Sequence, residues 1–199
     1  MIRNNLLLSA VLAIACGTAV AAPDTYTIDS SHTYPSFKTA HIAGISFWRG
    51  KINQSSGTVV LDRAAKTGSI DILMDMTSID FGHEKMNEHA RKDDIFDVAK
   101  FPSATYKSTR LVFTGDVITA VEGNLTLHGV TKPVTLTVNQ FKCVPHPFFK
   151  REVCGADASA VIDRTDFGVS YGVGKVIPDG KVTLDIQVEA LKDEAAGPA

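Results

Sequence analysis

Two groups of residues in this sequence have the types and spacing to suggest metal or redox chemistry. The first is His83-Glu84 followed by His89. A zinc-protease helix needs its second histidine four residues after the first, so that both imidazoles share one face. Asn87 holds that position, and His83 and His89, six apart, point in different directions on a helix. A solvated polar helix is the plainer reading. The second group is Cys143, His146 and Cys154. Two thiolates and an imidazole could supply three zinc ligands or a redox pair. The rival reading is a disulfide, because an even pair of cysteines in an exported protein is normally oxidised.

Nucleophilic chemistry has less support. There is no Gly-x-Ser-x-Gly, and Asp29-Ser30-Ser31-His32 offers no recognisable base geometry. His32 and His41 flank a predicted strand, where a histidine serves as a hydrogen-bonded structural or pocket-rim group. Gly172-Val173-Gly174 lacks the strand and helix that a phosphate loop needs. With 20 basic and 22 acidic residues and no Lys/Arg run, nucleic acid is not an expected partner.

The elements that must position these residues are mostly strands. Ile70, Ile72, Met74 and Met76 alternate with more polar neighbours, as do Leu125 and Leu127, then Val134, Leu136 and Val138. Val182, Leu184, Ile186 and Val188 repeat the pattern, and turn signals such as Gly68, Gly129 and Asp179-Gly180 punctuate it. Further strands are predicted at 25–30, 32–42, 45–53, 57–62, 104–113, 117–127 and 157–164. The segment between Cys143 and Cys154 reads as a loop, whose closure would add ~3 kcal/mol. A polar stretch from His83 to Asp94 predicts one short helix at about 84–91, placed as a lid or plug over a barrel mouth. Many short-turned strands imply an all-β sandwich or closed barrel.

The N-terminus reads as an export signal. Arg3 precedes an apolar run, Leu6 to Ala15, too short to span a bilayer. Ala19-Val20-Ala21 then offers a cleavage site after about Ala21. Cys16 is a rival lipidation site, but Ala13-Ile14-Ala15 before it lacks the leucine such sites carry. The expected division is therefore a signal peptide at 1–21, one barrel at 22–191 and a loose tail at 192–199. The expected compartment is the periplasm.

Five blocks carry a family resemblance. Tyr26-Thr27-Ile28-Asp29-Ser30-Ser31-His32-Thr33 resembles an opening Tyr-x-Ile-Asp-x-x-His-Ser, with Thr33 in place of serine. Phe37 and His41 follow at matching places. Asp94-Ile95-Phe96-Asp97-Val98-Ala99-Lys100-Phe101-Pro102, the run from Gly123 to Val134, and Ile162-Asp163-Arg164-Thr165-Asp166-Phe167-Gly168 complete the order. The pattern resembles the YceI family across essentially the whole mature chain. Asn87-Glu88-His89-Ala90 keeps only the histidine of the family's Arg-Asp-x-His-Leu.

The resemblance implies an extended, eight-stranded, antiparallel lipocalin-like barrel. It implies a binding or carrier protein rather than an enzyme, with a long-chain isoprenoid lipid or a polyprenylated quinone precursor as ligand, and no other cofactor. Each buried CH₂ of such a chain is worth ~0.8 kcal/mol, so a deep apolar tunnel suits it. Phe37, Thr39 and His41 share one face of their strand and are expected to point inward. Phe47, Phe96, Phe101, Phe113, Phe167 and Tyr171 are further lining candidates, and His41 and Arg164 are candidates to meet a polar head. The rival function is an enzyme or redox-linked protein acting on a quinone-like ligand through Cys143, His146 and Cys154. A homodimer is compatible with either reading.

Overall fold

The computed structural model describes residues 22–194. The expected signal peptide, its cleavage point and Cys16 lie outside the described residues, as do residues 195–199 of the expected tail. The chain forms β1 (Asp24–Ile28), β2 (Tyr34–Ala40), β3 (Phe47–Ile52), β4 (Ser55–Asp62), β5 (Thr67–Asp75) and β6 (Ile79–Asp80). One helix, α1 (Glu84–Ala90), follows, and then β7 (Ser103–Thr114), β8 (Val117–Leu127), β9 (Val130–Pro145), β10 (Glu152–Asp163) and β11 (Lys181–Lys192). Asp193 beyond β11 still donates its N–H to the Thr25 carbonyl, at 2.8 Å.

The eleven labels describe eight staves. β1 and β2 lie along the same edge of β11, β4 and β3 lie along theirs, and β5 and β6 lie along theirs in turn. Each of these three staves is broken by a short kink. Counted as staves, every neighbour in sequence is an antiparallel neighbour in space, and β1 pairing with β11 closes the ring. The result is the closed, eight-stranded antiparallel barrel with one short helix. Closure leaves no long open edge in the ring for another chain to pair with.

Sequence explains the kinks. At the first, Asp29 accepts hydrogen bonds from the Ser31 N–H and hydroxyl and contacts the His32 ring at 2.7 Å. Thr33 is almost fully buried, and its hydroxyl donates to the Glu189 carbonyl and accepts from the Glu189 N–H. A side chain thus satisfies the backbone that the departing strand would otherwise strand unpaired. At the third, Asp75 caps the turn by accepting from the Thr77 N–H.

The two-residue turn His128-Gly129 joins β8 to β9 with φ of 51° and 76°, the positive values such hairpins require. A side chain at 129 would also collide with the Phe101 ring. The segment between the cysteines corrects the loop expectation. β9 runs on to Pro145 and β10 starts at Glu152, so both cysteines sit in the ladder and only 146–151 is turn.

Candidate functional site: the barrel interior and its mouth

Register fixes which side chains face inward. Tyr26 and Ile28 are buried in the principal core, and Tyr26 pairs with Val59 and Lys192. Carried round the ladder, the inward set includes Leu61, Ile72, Tyr106, Leu125, Val134, Ala158 and Ile186. In β5, β8, β9 and β11 the alternation read from sequence thus places the apolar row inside.

One end of this interior is closed. Tyr26 donates its hydroxyl to Glu152 at 2.6 Å, and Arg63 donates to both the Tyr26 hydroxyl and Glu152 at 2.8 Å. Lys192 pairs with Asp24 at 2.6 Å beside them. Burial raises the Tyr26 hydroxyl well above its ordinary range, and its hydrogen bond to Glu152 adds to this. Burial pushes Glu152 upward, but hydrogen bonds from Arg63 and Tyr26 outweigh it and hold the carboxyl below its ordinary value. Leu61, Leu111, Ile118 and Val121 pack above this layer. Tyr106 lies across Gly123 and donates towards the Val121 and Val134 carbonyls, both at 3.0 Å.

Cys143 and Cys154 face each other across β9 and β10 at this closed end and form a disulfide. Neither sulfur is a free thiolate. The carboxylate near them is Glu152, whereas His146 turns into its own loop. Its Nδ1 accepts from the Phe148 and Phe149 N–H groups at 3.1 and 3.2 Å, and its ring stacks on Phe149. The Cys143–His146–Cys154 triad expected of a redox or metal element is therefore not assembled.

The middle of the interior is different. Between Cys154 and Ile162 the inward positions of β10 are Ala156, Ala158 and Ala160. Their inward neighbours Leu136, Val138, Leu184, Ile186 and Val188 stay half-buried although they point away from bulk solvent. Small side chains on one stave go with neighbours that keep partial accessibility from within.

Aromatics and histidines gather at the other end, the mouth. Phe37 lies across Gly50 of β3, packs edge-on to Phe81 at 5.3 Å, and Phe81 meets Trp48 at 6.1 Å. His41 and His83 flank Trp48 at 5.6 and 6.0 Å. His83 also caps α1 by accepting from the Met86 N–H at 3.2 Å. His89 pairs with Asp94 instead, so the two histidines of the sequence pattern have separate partners. α1 and the segment after it cover the mouth, with Ile95 buried and Phe96 and Val98 against Ile52, Met76 and Ile79.

The ten lining candidates divide accordingly. Phe37 and Thr39 occupy inward register positions, opposite Leu184 and Val182, and His41 sits at the mouth. Phe96 packs under α1, while Phe101 lies against His128 at 4.4 Å in the neighbouring turn. Phe167, with 2% of its surface accessible, is core rather than wall. Phe113 pairs with Ile118, far from the mouth at the closed end. Tyr171 stands on the rim, half-exposed, against His89 at 4.9 Å.

Two candidates need correction. Phe47 pairs with Ala40 on the outward face, where Lys38 lies over its ring at 5.5 Å; adjacent Trp48 takes the inward position opposite Thr39. Two aromatics in succession gave β3 no alternation to read. Arg164 is not presented to a head group. Its guanidinium donates to the Val169 and Tyr171 carbonyls, both at 2.8 Å, and so holds the 169–171 rim segment. Trp48, Phe81 and the alanine stave stand outside the ten lining candidates. The alanines were legible only once register set them on the inward face.

The comparisons agree with this architecture. Residues 26–190 match the YceI-like domain. The chain belongs to the YceI family. It is 38% identical to UPF0312 protein VPA0850 of Vibrio parahaemolyticus over 91% of this chain and 94% of that one. It is 31% identical to Protein YceI of Salmonella arizonae, over 96% of this chain and all of that one. Among solved structures, Burkholderia cenocepacia BcnA superposes with a TM-score of 0.65 at 23% identity, over 81% of this chain and 98% of that one. A polyisoprenoid binding domain from Saccharophagus degradans superposes with a TM-score of 0.63 at 18% identity, over 84% of this chain and 98% of that one. At these identities the structural likeness speaks for the fold.

Proposed function

We propose that this YceI-family chain is an exported carrier that holds a long apolar lipid inside the barrel, in the class of polyisoprenoids or polyprenylated quinone precursors. It works in the periplasm and binds its cargo without transforming it. The observation that carries this reading is the partly filled interior, where inward Ala156, Ala158 and Ala160 face half-buried apolar staves. The Saccharophagus domain of the same fold is described as polyisoprenoid binding, which supports the class of cargo. An acyclic isoprenoid gains ~0.8 kcal/mol per buried CH₂, so a narrow apolar interior is enough to hold it without specific polar contacts. One closed end and one aromatic mouth favour entry of the chain at the mouth.

The test combines cargo and space. Native mass spectrometry of the purified protein is expected to show a lipid adduct, or to show one after incubation with a polyprenol. Trp48, the chain's only tryptophan, stands at the mouth, and its emission should change on loading. Ala158→Phe is expected to abolish loading while costing less than the ~1–3 kcal/mol of an overpacked core. A protein that takes no lipid under either condition, or an Ala158→Phe variant that loads normally, overturns the proposal.

A further inference from the structure

The outside of the mouth carries a surface that the cargo reading leaves unused. The turn between β2 and β3 exposes Ile42, Ile45 and Phe47, with Ile45 81% accessible. The loop between β10 and β11 meets this turn, because the Ala43 N–H donates to the Val176 carbonyl at 2.7 Å. Val176 is itself 53% accessible, so the two segments form one apolar lip. Contiguous exposed apolar side chains at a rim mark an interaction surface.

Below the lip the outward row of β2 and β3 is cationic, with Asp185 of β11 beside it. β2 and β3 set Lys38 directly opposite Arg49, a like-charge pair that a strand ladder normally avoids. Lys51 follows on the same face and lies over the Tyr34 ring at 4.4 Å. These three cations, with Asp80 and Asp185, border a groove of about 580 Å³ that reaches Phe37, Gly50 and Phe81 of the mouth. Asp80, held by the Gly82 N–H, Asn87 and Asn53, keeps its negative charge, so the groove carries three positive and two negative groups. Lys175 precedes Val176 in the same loop, whereas Lys181 sits opposite Asp163 across β10 and β11, with Asp179 turned to its N–H. Across the mouth α1 carries both signs, and Glu84 there is paired with Arg91. A local excess of cations on a chain of net charge −2 is a polarised surface, not a general property of the molecule.

The geometry points to reversible docking of this lip on a bilayer bearing anionic phospholipids. Ile42, Ile45, Phe47 and Val176 enter the interface, while Lys38, Arg49 and Lys51 meet the phosphate layer. Apolar insertion plus attraction to anionic lipid is the two-part signal such surfaces use. Docking here places the aromatic mouth against the membrane, so the inference rests on the carrier reading for its purpose but not for its measurement.

The test is co-sedimentation of the purified protein with vesicles of phosphatidylcholine alone and of phosphatidylcholine mixed with phosphatidylglycerol. Binding is expected to the mixed vesicles and to weaken as salt screens the cations. Ile45→Ser with Phe47→Ser is expected to lower affinity by about tenfold or more. Lys38→Glu with Arg49→Glu should lower it and remove the salt dependence. The control is Phe148→Ser with Phe149→Ser, at the opposite end, which is expected to change nothing. Wild-type binding by the lip variant, loss of binding by the opposite-end variant, or indifference to phosphatidylglycerol overturns the proposal. Lipid content measured on the same samples separates the two readings. A loaded protein that ignores vesicles sinks docking alone; one that docks but never takes lipid sinks the carrier alone.

Discussion

The two ends of this barrel solve opposite problems with the same ladder. At the closed end Tyr26, Arg63 and Glu152 form a hydrogen-bonded layer, Lys192 pairs with Asp24, and a disulfide clips β9 to β10. At the mouth the contacts are edge-on aromatic pairs among Phe37, Phe81 and Trp48, histidines at 5.6 and 6.0 Å, and loops braced by Arg164. Polar layers of fixed direction resist opening, because breaking them leaves buried groups unpaired. Apolar aromatic contacts tolerate displacement far better. Directional polar and covalent contacts are concentrated at the closed end, and aromatic packing at the mouth.

The largest effect that tests this contrast is truncation. Tyr26→Ala removes a ring with 1% accessibility and its hydroxyl's hydrogen bonds, leaving Arg63 and Glu152 paired with each other, and is expected to cost ~3–5 kcal/mol. Trp48→Ala removes a half-buried ring and should cost about half as much or less. Urea midpoints of the two variants decide it. Equal losses would mean that the mouth is as firmly built as the base. The next effect is covalent. Cys143→Ser with Cys154→Ser opens a closure of sequence separation 11 and is expected to cost ~3 kcal/mol, read in the same way. Because the clip lies at the closed end, Trp48 emission of the folded variant should match wild type. A changed spectrum would show that the base and mouth are coupled.

Legibility in the sequence followed the same division. Strand alternation gave β5 and β8 nearly to their ends and β11 up to about Glu189 of its observed Lys192 end, and the polar stretch gave α1 at 84–91 against the observed Glu84–Ala90. Those features depend on local pattern alone. The motif blocks were legible as residues, yet much of their work is structural. Asp29, Ser31, His32 and Thr33 build a kink, His128-Gly129 a turn, and Asp163 to Gly168 a capped turn whose Arg164 holds the rim. What stayed hidden needed register between strands. Phe47 and Trp48 are adjacent, so only their pairing with Ala40 and Thr39 tells outside from inside. The Tyr26–Arg63–Glu152 layer joins three distant segments, and its charged members carry no local pattern at all.

The smallest effect concerns that layer and pH. Glu152 is held below its ordinary value of 4.5, so its contribution is fully present above that value and is lost as pH falls through the lowered one. At neutral pH Glu152→Gln is expected to cost about 1 kcal/mol, kept modest because the carboxylate retains 30% exposure. Below pH 4.5 wild type should lose stability faster than the variant, and the two curves should converge. Asp29, Asp80 and Asp163 are also held low, by local hydrogen bonds at the kink and near the mouth. They steepen both curves equally, so the difference between the curves belongs to the closed end. A constant gap down to the acid limit would mean that the Glu152 charge contributes nothing there, and that shape and the neutral Tyr26 hydrogen bond close the base by themselves.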